Sequence, residues 1–128
     1  MIVLDTATWL WVASEPSRLS PPARELFESV DIALVSAISA WEVGMLVSKR
    51  RIVLDRPVDR WVDEALRTGK MEIAPVDERI AVLAAQLPGN APGNAADRII
   101  AATALTSGCP LVTPDRELRD YPFVPTVW

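Results

Sequence analysis

The chain has 128 residues, half of them hydrophobic, and a formal net charge of −4, which together predict one folded domain over residues 1–128 rather than a disordered chain. Histidine is absent and Cys109 is the only cysteine, which excludes a Ser-His-Asp triad, a Cys-His pair, an HExxH zinc site, a CxxC metal site and an internal disulfide. No apolar run reaches the length of a membrane span and the N-terminus lacks the features of a signal peptide, so we expect a cytoplasmic protein with no membrane association.

Short apolar runs alternate with helical patterns along the chain. In chain order, the predicted elements are a strand at 1–4, a short helix at 9–13, a helix at 21–29, a strand at 31–35, helices at 37–49 and 57–68, a weak strand at 71–76, helices at 77–87 and 95–107, a strand at 110–113 and a weaker strand at 123–128. Runs such as MIVL at 1–4 are continuous rather than alternating, as expected for strands covered on both faces. The pattern predicts an α/β fold with a mostly parallel sheet flanked by helices.

Two of the predicted strands run directly into an aspartate. Asp5 follows MIVL, and Asp115 follows the run PLVTP. Because functional sites of open parallel sheets form at the carboxyl ends of the strands, these two carboxylates meet if their strands are neighbours. The alternative is that each aspartate only begins a turn or caps the next helix.

Two further acids lie on the apolar faces of predicted helices. Glu42 falls within the apolar stripe of the helix at 37–49, and Asp97 heads the stripe of the helix at 95–107. The residues of these two stripes are Ile38, Trp41, Met45 and Leu46, and Ile100, Ala101, Ala104 and Leu105. A buried carboxylate needs a partner or a cation. An arginine salt bridge at the helix edge is the alternative for both, and Asp97 also suits a helix N-terminus.

Four converging acids without histidine or thiolate favour a hard cation. Oxygen ligands suit Mg²⁺ or Mn²⁺, and such sites serve phosphate chemistry. Four carboxylates in one metal site would account for the whole net charge of −4, so the acidic composition does not argue against a nucleic-acid substrate.

Three stretches carry a resemblance to a known family. They are MIVLDT at the start, SAISAWEVGML in the middle and ADRIIAATALTSGCPLVTPDREL near the end. In spacing and order the chain resembles, over nearly its whole length, the PIN domains and specifically the VapC-type toxins of bacterial toxin–antitoxin pairs. The resemblance implies a single PIN domain whose five-stranded parallel sheet has the strand order 3-2-1-4-5.

The resemblance also implies an endoribonuclease that cleaves an RNA substrate with Mg²⁺ or Mn²⁺. Asp5, Glu42, Asp97 and Asp115 match the four acidic positions of the family, which makes them the expected metal-binding and catalytic residues, Glu42 possibly acting through water. Thr6 and Thr113 match its supporting hydroxyl positions, although Thr113 could be an ordinary strand residue.

One departure from the family pattern concerns the helix at 95–107. Many relatives carry an Asp-Pro pair three residues before the third acid, whereas this chain has Asn94-Ala95. Asparagine still caps a helix well, so only an auxiliary charge is lost.

Arginines close to the acids in sequence are candidates for RNA contacts. Arg98 follows Asp97, and Arg116 and Arg119 follow Asp115, so all three are expected substrate-binding residues that contact phosphates.

The expected partners also come from the resemblance. They are a cognate VapB-type antitoxin, which holds such toxins inactive, and a second copy of the chain in a homodimer. We expect Trp9 or Trp11 to line a hydrophobic groove for the antitoxin, and Trp41 and Trp61 to belong to the core.

Rival readings fail on particular residues. A receiver domain needs a lysine after its last strand, and no lysine follows Lys70; a haloacid-dehalogenase-type phosphatase needs DxD, and position 7 is Ala7. The remaining alternative is a catalytically inactive PIN fold that serves as a protein- or RNA-binding module.

Overall fold

The computed structural model describes residues 1–128 and contains one sheet of five parallel strands. The strands are β1 (Ile2–Leu4), β2 (Ala33–Ser36), β3 (Met71–Ala74), β4 (Leu111–Val112) and β5 (Thr126–Val127). Their order is β3-β2-β1-β4-β5, which confirms the predicted order 3-2-1-4-5. Because β1 lies between β2 and β4, the residues that follow β1 and β4 meet at one edge of the sheet.

Seven α-helices flank the sheet. They are α1 (Thr6–Ser14), α2 (Pro21–Ser29), α3 (Ala37–Ser48), α4 (Val58–Leu66), α5 (Glu78–Ala85), α6 (Ala95–Ser107) and α7 (Arg116–Asp120). The first six confirm the predicted helices. α7 was not predicted, because its five residues RELRD are nearly all charged and show no apolar period. No helix combines the length and the apolar character that crossing a bilayer requires.

The central strand packs against helices on both of its faces. Val3 lies among core residues of α5, α6 and α7, whereas Ile2 and Leu4 lie among core residues of α1, α2, α3 and α4. All three side chains have no exposed surface. The continuous apolar run of β1 therefore has the cause that was predicted for it, which is burial on both sides.

The tryptophans separate into core and surface positions. Trp61 is buried as predicted and packs edge-to-face on the fully buried Trp9, with ring centroids 5.2 Å apart. The core prediction for Trp41 is wrong, because 58% of this residue is exposed. α3 turns Ser39 and Val43 inward instead, so the stripe that contains Trp41 faces outward.

Candidate metal centre

A pocket at the carboxyl edge of the sheet brings the four predicted acids together. Its volume is about 290 Å³, and it lies where β1 and β4 end. The lining residues are Asp5, Thr6, Ala7, Leu10, Glu42, Leu46, Asp97, Pro114 and Asp115. The parallel order of the strands, with β1 next to β4, explains why acids more than a hundred residues apart meet here.

Asp5 is the buried anchor of this pocket, with only 5% of its surface exposed. Its Oδ1 accepts a hydrogen bond from the Thr8 backbone N–H at 2.8 Å, and its Oδ2 accepts one from the Thr113 hydroxyl at 2.5 Å. Burial raises the pKa of Asp5, and these hydrogen bonds oppose that rise. The cap explains why α1 begins at Thr6 rather than at residue 9.

Thr113 connects the ends of the two neighbouring strands. Its side chain is fully buried, and while its hydroxyl donates to Asp5, the same oxygen accepts the Asp115 backbone N–H at 3.0 Å. Thr113 thereby fixes the Asp5 carboxylate and the start of the Asp115 segment relative to each other. This contact accounts for a threonine at this position better than strand propensity does.

Glu42 is held from the first turn of α1. The Thr6 hydroxyl donates to Glu42 Oε1 at 2.5 Å, and Ser39 Oγ lies 2.9 Å from Thr6 Oγ1. Burial raises the pKa of Glu42; the hydrogen bond from Thr6 opposes the rise, and the charge of Asp5 adds to it. Thr6 therefore occupies a supporting position beside a carboxylate.

Asp97 lies in the first turn of α6, and the Asn94 side chain caps this helix by accepting the Asp97 N–H at 3.2 Å. Partial burial and neighbouring negative charges raise the pKa of Asp97 to about 7. The contributing carboxylates, in decreasing order, are those of Asp115, Glu42, Asp5 and Glu117. The shift shows that all five acids act on one another, because like charges disfavour the ionised form.

Glu117 is a member of this group that the sequence reasoning missed. Carboxylate oxygens of Asp97, Asp115 and Glu117 all lie within 4.8 Å of one another. Asp115 caps α7 by accepting the Leu118 N–H at 3.0 Å, which places Glu117 in the first turn, two residues after the cap. The available signal was an aspartate cap followed by a second acid in the first turn, but the helix itself was not recognised.

None of the five acids has a basic partner. The ion pairs of the protein involve other acids, namely Glu15, Asp55, Asp63 and Glu64. The arginine salt bridge that was the alternative for Glu42 and Asp97 is therefore not present. A cluster of hard oxygen donors without a neutralising side chain fits Mg²⁺ or Mn²⁺.

The structure treats the three candidate RNA-binding arginines differently. The Arg98 guanidinium donates to the backbone carbonyls of Ala84 at 2.8 Å, Ala85 at 3.2 Å and Pro92 at 3.0 Å. Arg98 therefore joins α5 and the loop before α6, and it does not line the acidic pocket. Arg116 and Arg119 line a second cavity instead.

The chain matches the family model of the PIN domain over residues 2–124. It is 37% identical over 129 residues to Ribonuclease VapC22 of Mycobacterium tuberculosis, which spans 99% of this chain and 98% of that protein. The solved structure of FitAcB from Neisseria gonorrhoeae is similar with a TM-score of 0.62 at 28% identity, over 100% of this chain and 97% of that chain. A toxin–antitoxin complex from Klebsiella pneumoniae shares the fold, with a TM-score of 0.70 at 20% identity over 100% and 97% of the two chains. Since a family model and a relative both cover nearly the whole sequence, the chain belongs to the PIN domain family.

Proposed function

We propose that this protein is a metal-dependent endoribonuclease and the toxin of a toxin–antitoxin pair. The observation that carries the proposal is the group of five mutually repelling acids without a basic partner at the carboxyl edge of the sheet. The similarity to Ribonuclease VapC22 supports RNA as the substrate. An RNA substrate in turn implies that the protein acts in the cytoplasm.

Mg²⁺ or Mn²⁺ is the proposed cofactor. Asp97, Asp115 and Glu117, whose oxygens lie closest together, would hold the ion together with Asp5, and Glu42 would contact it through water. Such an ion supplies a Lewis acid for a phosphoryl oxygen and lowers the pKa of a bound water.

The chain's own residues provide orientation and a proton acceptor. Hydrogen bonds from Thr113 and the Thr8 N–H fix both oxygens of Asp5. Thr6 holds Oε1 of Glu42, which leaves Oε2 without a partner in the protein. Because its pKa is raised, Glu42 is suited to accept at Oε2 the proton that the attacking water loses.

Cleavage of total cellular RNA in Mn²⁺ and in EDTA tests the proposed activity. We expect discrete cleavage products with Mn²⁺ and none with EDTA, and expression without an antitoxin should arrest growth. RNA binding without cleavage in Mn²⁺ would instead support the alternative, an inactive PIN-fold binding module.

We place the antitoxin in an apolar groove between α3 and α4. The groove has a volume of about 790 Å³. Its lining residues are Ala40, Trp41, Val58, Asp59, Val62, Asp63 and Leu66. The exposed Trp41 is the apolar anchor, and the two aspartates suit a partner segment that carries basic side chains beside apolar ones.

The groove replaces the earlier expectation for Trp9 and Trp11. Trp9 is fully buried against Trp61, and Trp11 packs on Trp128 with ring centroids 5.6 Å apart. Neither residue lines the α3–α4 groove. An exposed tryptophan beside an apolar groove is the better candidate for a partner surface.

Co-purification with the co-expressed cognate antitoxin tests this groove. Trp41→Asp should reduce the amount of antitoxin recovered, because a charge would replace the apolar anchor. Val82→Asp is the matched control, since Val82 is 55% exposed on α5 and lies outside the groove. Equal recovery with both variants would place the antitoxin elsewhere. The homodimer stays a prediction, which light scattering of the isolated chain can test.

A further inference from the structure

A second cavity lies beside the acidic pocket. Its volume is about 530 Å³, and its lining residues are Arg116, Arg119, Asp120, Thr126, Val127 and Trp128. We call it the arginine pocket. β5 pairs with β4 so that the Thr113 N–H donates to the Val127 carbonyl at 3.2 Å. Trp128 therefore follows β5 at the same edge of the sheet as Thr113, whose hydroxyl holds Asp5.

Helix α7 joins the two cavities. It begins at the cap residue Asp115, which lines the acidic pocket, and it carries Arg116 and Arg119, which line the arginine pocket. A strand whose cleaved phosphate lies at the acids therefore reaches the arginine pocket within a short distance.

The charge of the arginine pocket suits a phosphodiester. Neither Arg116 nor Arg119 forms an ion pair, so both guanidinium groups are available to a ligand. Asp120 is the one acid in the lining, which leaves an excess of one positive charge. This excess matches the single negative charge of one phosphodiester and contrasts with the adjoining acids, which repel phosphate in the absence of a cation.

An aromatic ridge borders the arginine pocket. Trp128 is half-buried and packs on the half-buried Trp11, with ring centroids 5.6 Å apart and planes tilted by 50°. The Arg18 guanidinium lies 4.3 Å from the centroid of the Trp11 ring, which extends the ridge with a positive charge. Basic groups next to exposed indole surface are the combination that binds single-stranded nucleic acid through phosphates and stacked bases.

We propose that the arginine pocket binds the phosphate next to the one that is cleaved, while an unpaired base stacks on Trp128. The inference rests on the proposed ribonuclease function and adds that the RNA is single-stranded at the cleavage site. It assigns Arg116 and Arg119 to positioning the strand and leaves the chemistry to the acids.

Binding of a fluorescent single-stranded RNA oligonucleotide in EDTA tests the pocket without requiring cleavage. The oligonucleotide carries the mapped cleavage sequence where the parent protein cleaves RNA, and an unstructured sequence otherwise. Arg116→Gln/Arg119→Gln should lower the log–log salt slope of binding by about 1.4, because each lost phosphate contact on a single strand removes about 0.7. Arg51→Gln/Arg79→Gln is the matched control, since it removes the same charge from exposed arginines outside both cavities.

Substitutions of Trp128 test the stacking. Trp128→Ala should weaken binding at least about fivefold, whereas Trp128→Phe should restore most of the affinity because it keeps an aromatic face. Annealing the oligonucleotide to its complement should abolish the difference between Trp128→Ala and the parent. In Mn²⁺ the pocket variants should raise KM more than they lower kcat.

Two kinds of failure are distinguishable. If the parent binds RNA through the arginine pocket but cleaves none in Mn²⁺, the proposed function fails and the binding site stands. If the pocket variants bind RNA with the affinity and salt slope of the control variant, the arginine pocket proposal is overturned, whether or not the parent cleaves RNA.

Discussion

Two groups of acidic side chains in this protein lie in opposite electrostatic surroundings. Near α4, the acids alternate with arginines and pair with them, as Asp63 does with Arg67 at 2.7 Å and Glu64 with Arg60 at 3.0 Å. At the carboxyl edge of the sheet, five acids face one another without a single basic partner. The same residue types are thus neutralised in one region and crowded in the other.

The pKa values follow this difference. Hydrogen bonds from Arg60 and Arg56 lower the pKa of Glu64, whereas burial and like charges raise the pKa of Asp97 to about 7. Crowding of this kind opposes folding, so folding alone gives no reason for it. A local conflict of this type is typical of a functional site, and here a cation would resolve it.

The largest expected effect separates the two groups by activity. Asp97→Asn removes a proposed metal ligand and should lower RNA cleavage in Mn²⁺ by at least about 100-fold, because a bound cation supplies several kcal/mol of transition-state stabilisation. Asp63→Asn, which breaks an exposed ion pair near α4, should leave the cleavage rate unchanged. Equal rates for both variants would remove Asp97 from the metal site.

Arg98 offers a test on the basic side of the comparison. Its guanidinium donates to three backbone carbonyls and so serves structure. Arg98→Met should reduce the free energy of unfolding by about 1.5–3 kcal/mol, the range for hydrogen bonds from charged groups. A denaturant melt measures this loss. An unchanged melt together with weakened RNA binding would instead support the original expectation that Arg98 contacts phosphate.

The pH dependence of stability reports on the crowded acids. The pKa of Asp97 is about 7 in the folded protein against a usual value of 3.8, so between these values the folded state binds more protons than the unfolded state. In EDTA the contribution of Asp97 to stability should therefore fall as the pH rises from about 4 to about 7, and then level off. The stability of Asp97→Asn relative to the parent should rise over the same window. A flat difference across this range would show that Asp97 is not crowded.

The smallest effect belongs to the paired acids. Arg67→Gln removes the partner of Asp63 on the surface of α4, where the Arg67 side chain is 75% exposed. The free energy of unfolding should fall by no more than about 0.5 kcal/mol, because exposed ion pairs contribute little. A larger loss would mean that the charges near α4 stabilise the fold more than their exposure indicates.

The sequence was sufficient for most of the fold. Strands covered on both faces leave continuous apolar runs, and the serine and proline at the start of α2 mark a helix end that chemistry dictates. The outward face of Trp41 could not be predicted, because helical periodicity identifies an apolar stripe without showing which neighbour it meets. α3 has two such stripes, and the inward one contains Ser39 and Val43.

The site was predictable in part for the same kind of reason. Asp5 and Asp115 follow strand ends, so the parallel sheet alone brings them together. Glu117 depends on α7, a helix too short and too charged to leave a periodic pattern. The role of Arg98 depends on carbonyls exposed at the end of α5 and in the loop before α6, and a sequence does not show where a long side chain finds its acceptors.

The central claim is that the crowded acids share one cation, and denaturant melts of Asp115→Asn in EDTA and in millimolar Mn²⁺ test it most directly. Asparagine keeps the cap of α7 and removes one charge, so in EDTA the variant should be about 0.5–2 kcal/mol more stable than the parent. It should also lose most of the stabilisation that Mn²⁺ gives the parent, since that gain depends on affinity for the folded state. Equal stability in EDTA, with an undiminished Mn²⁺ effect in the variant, would contradict the account.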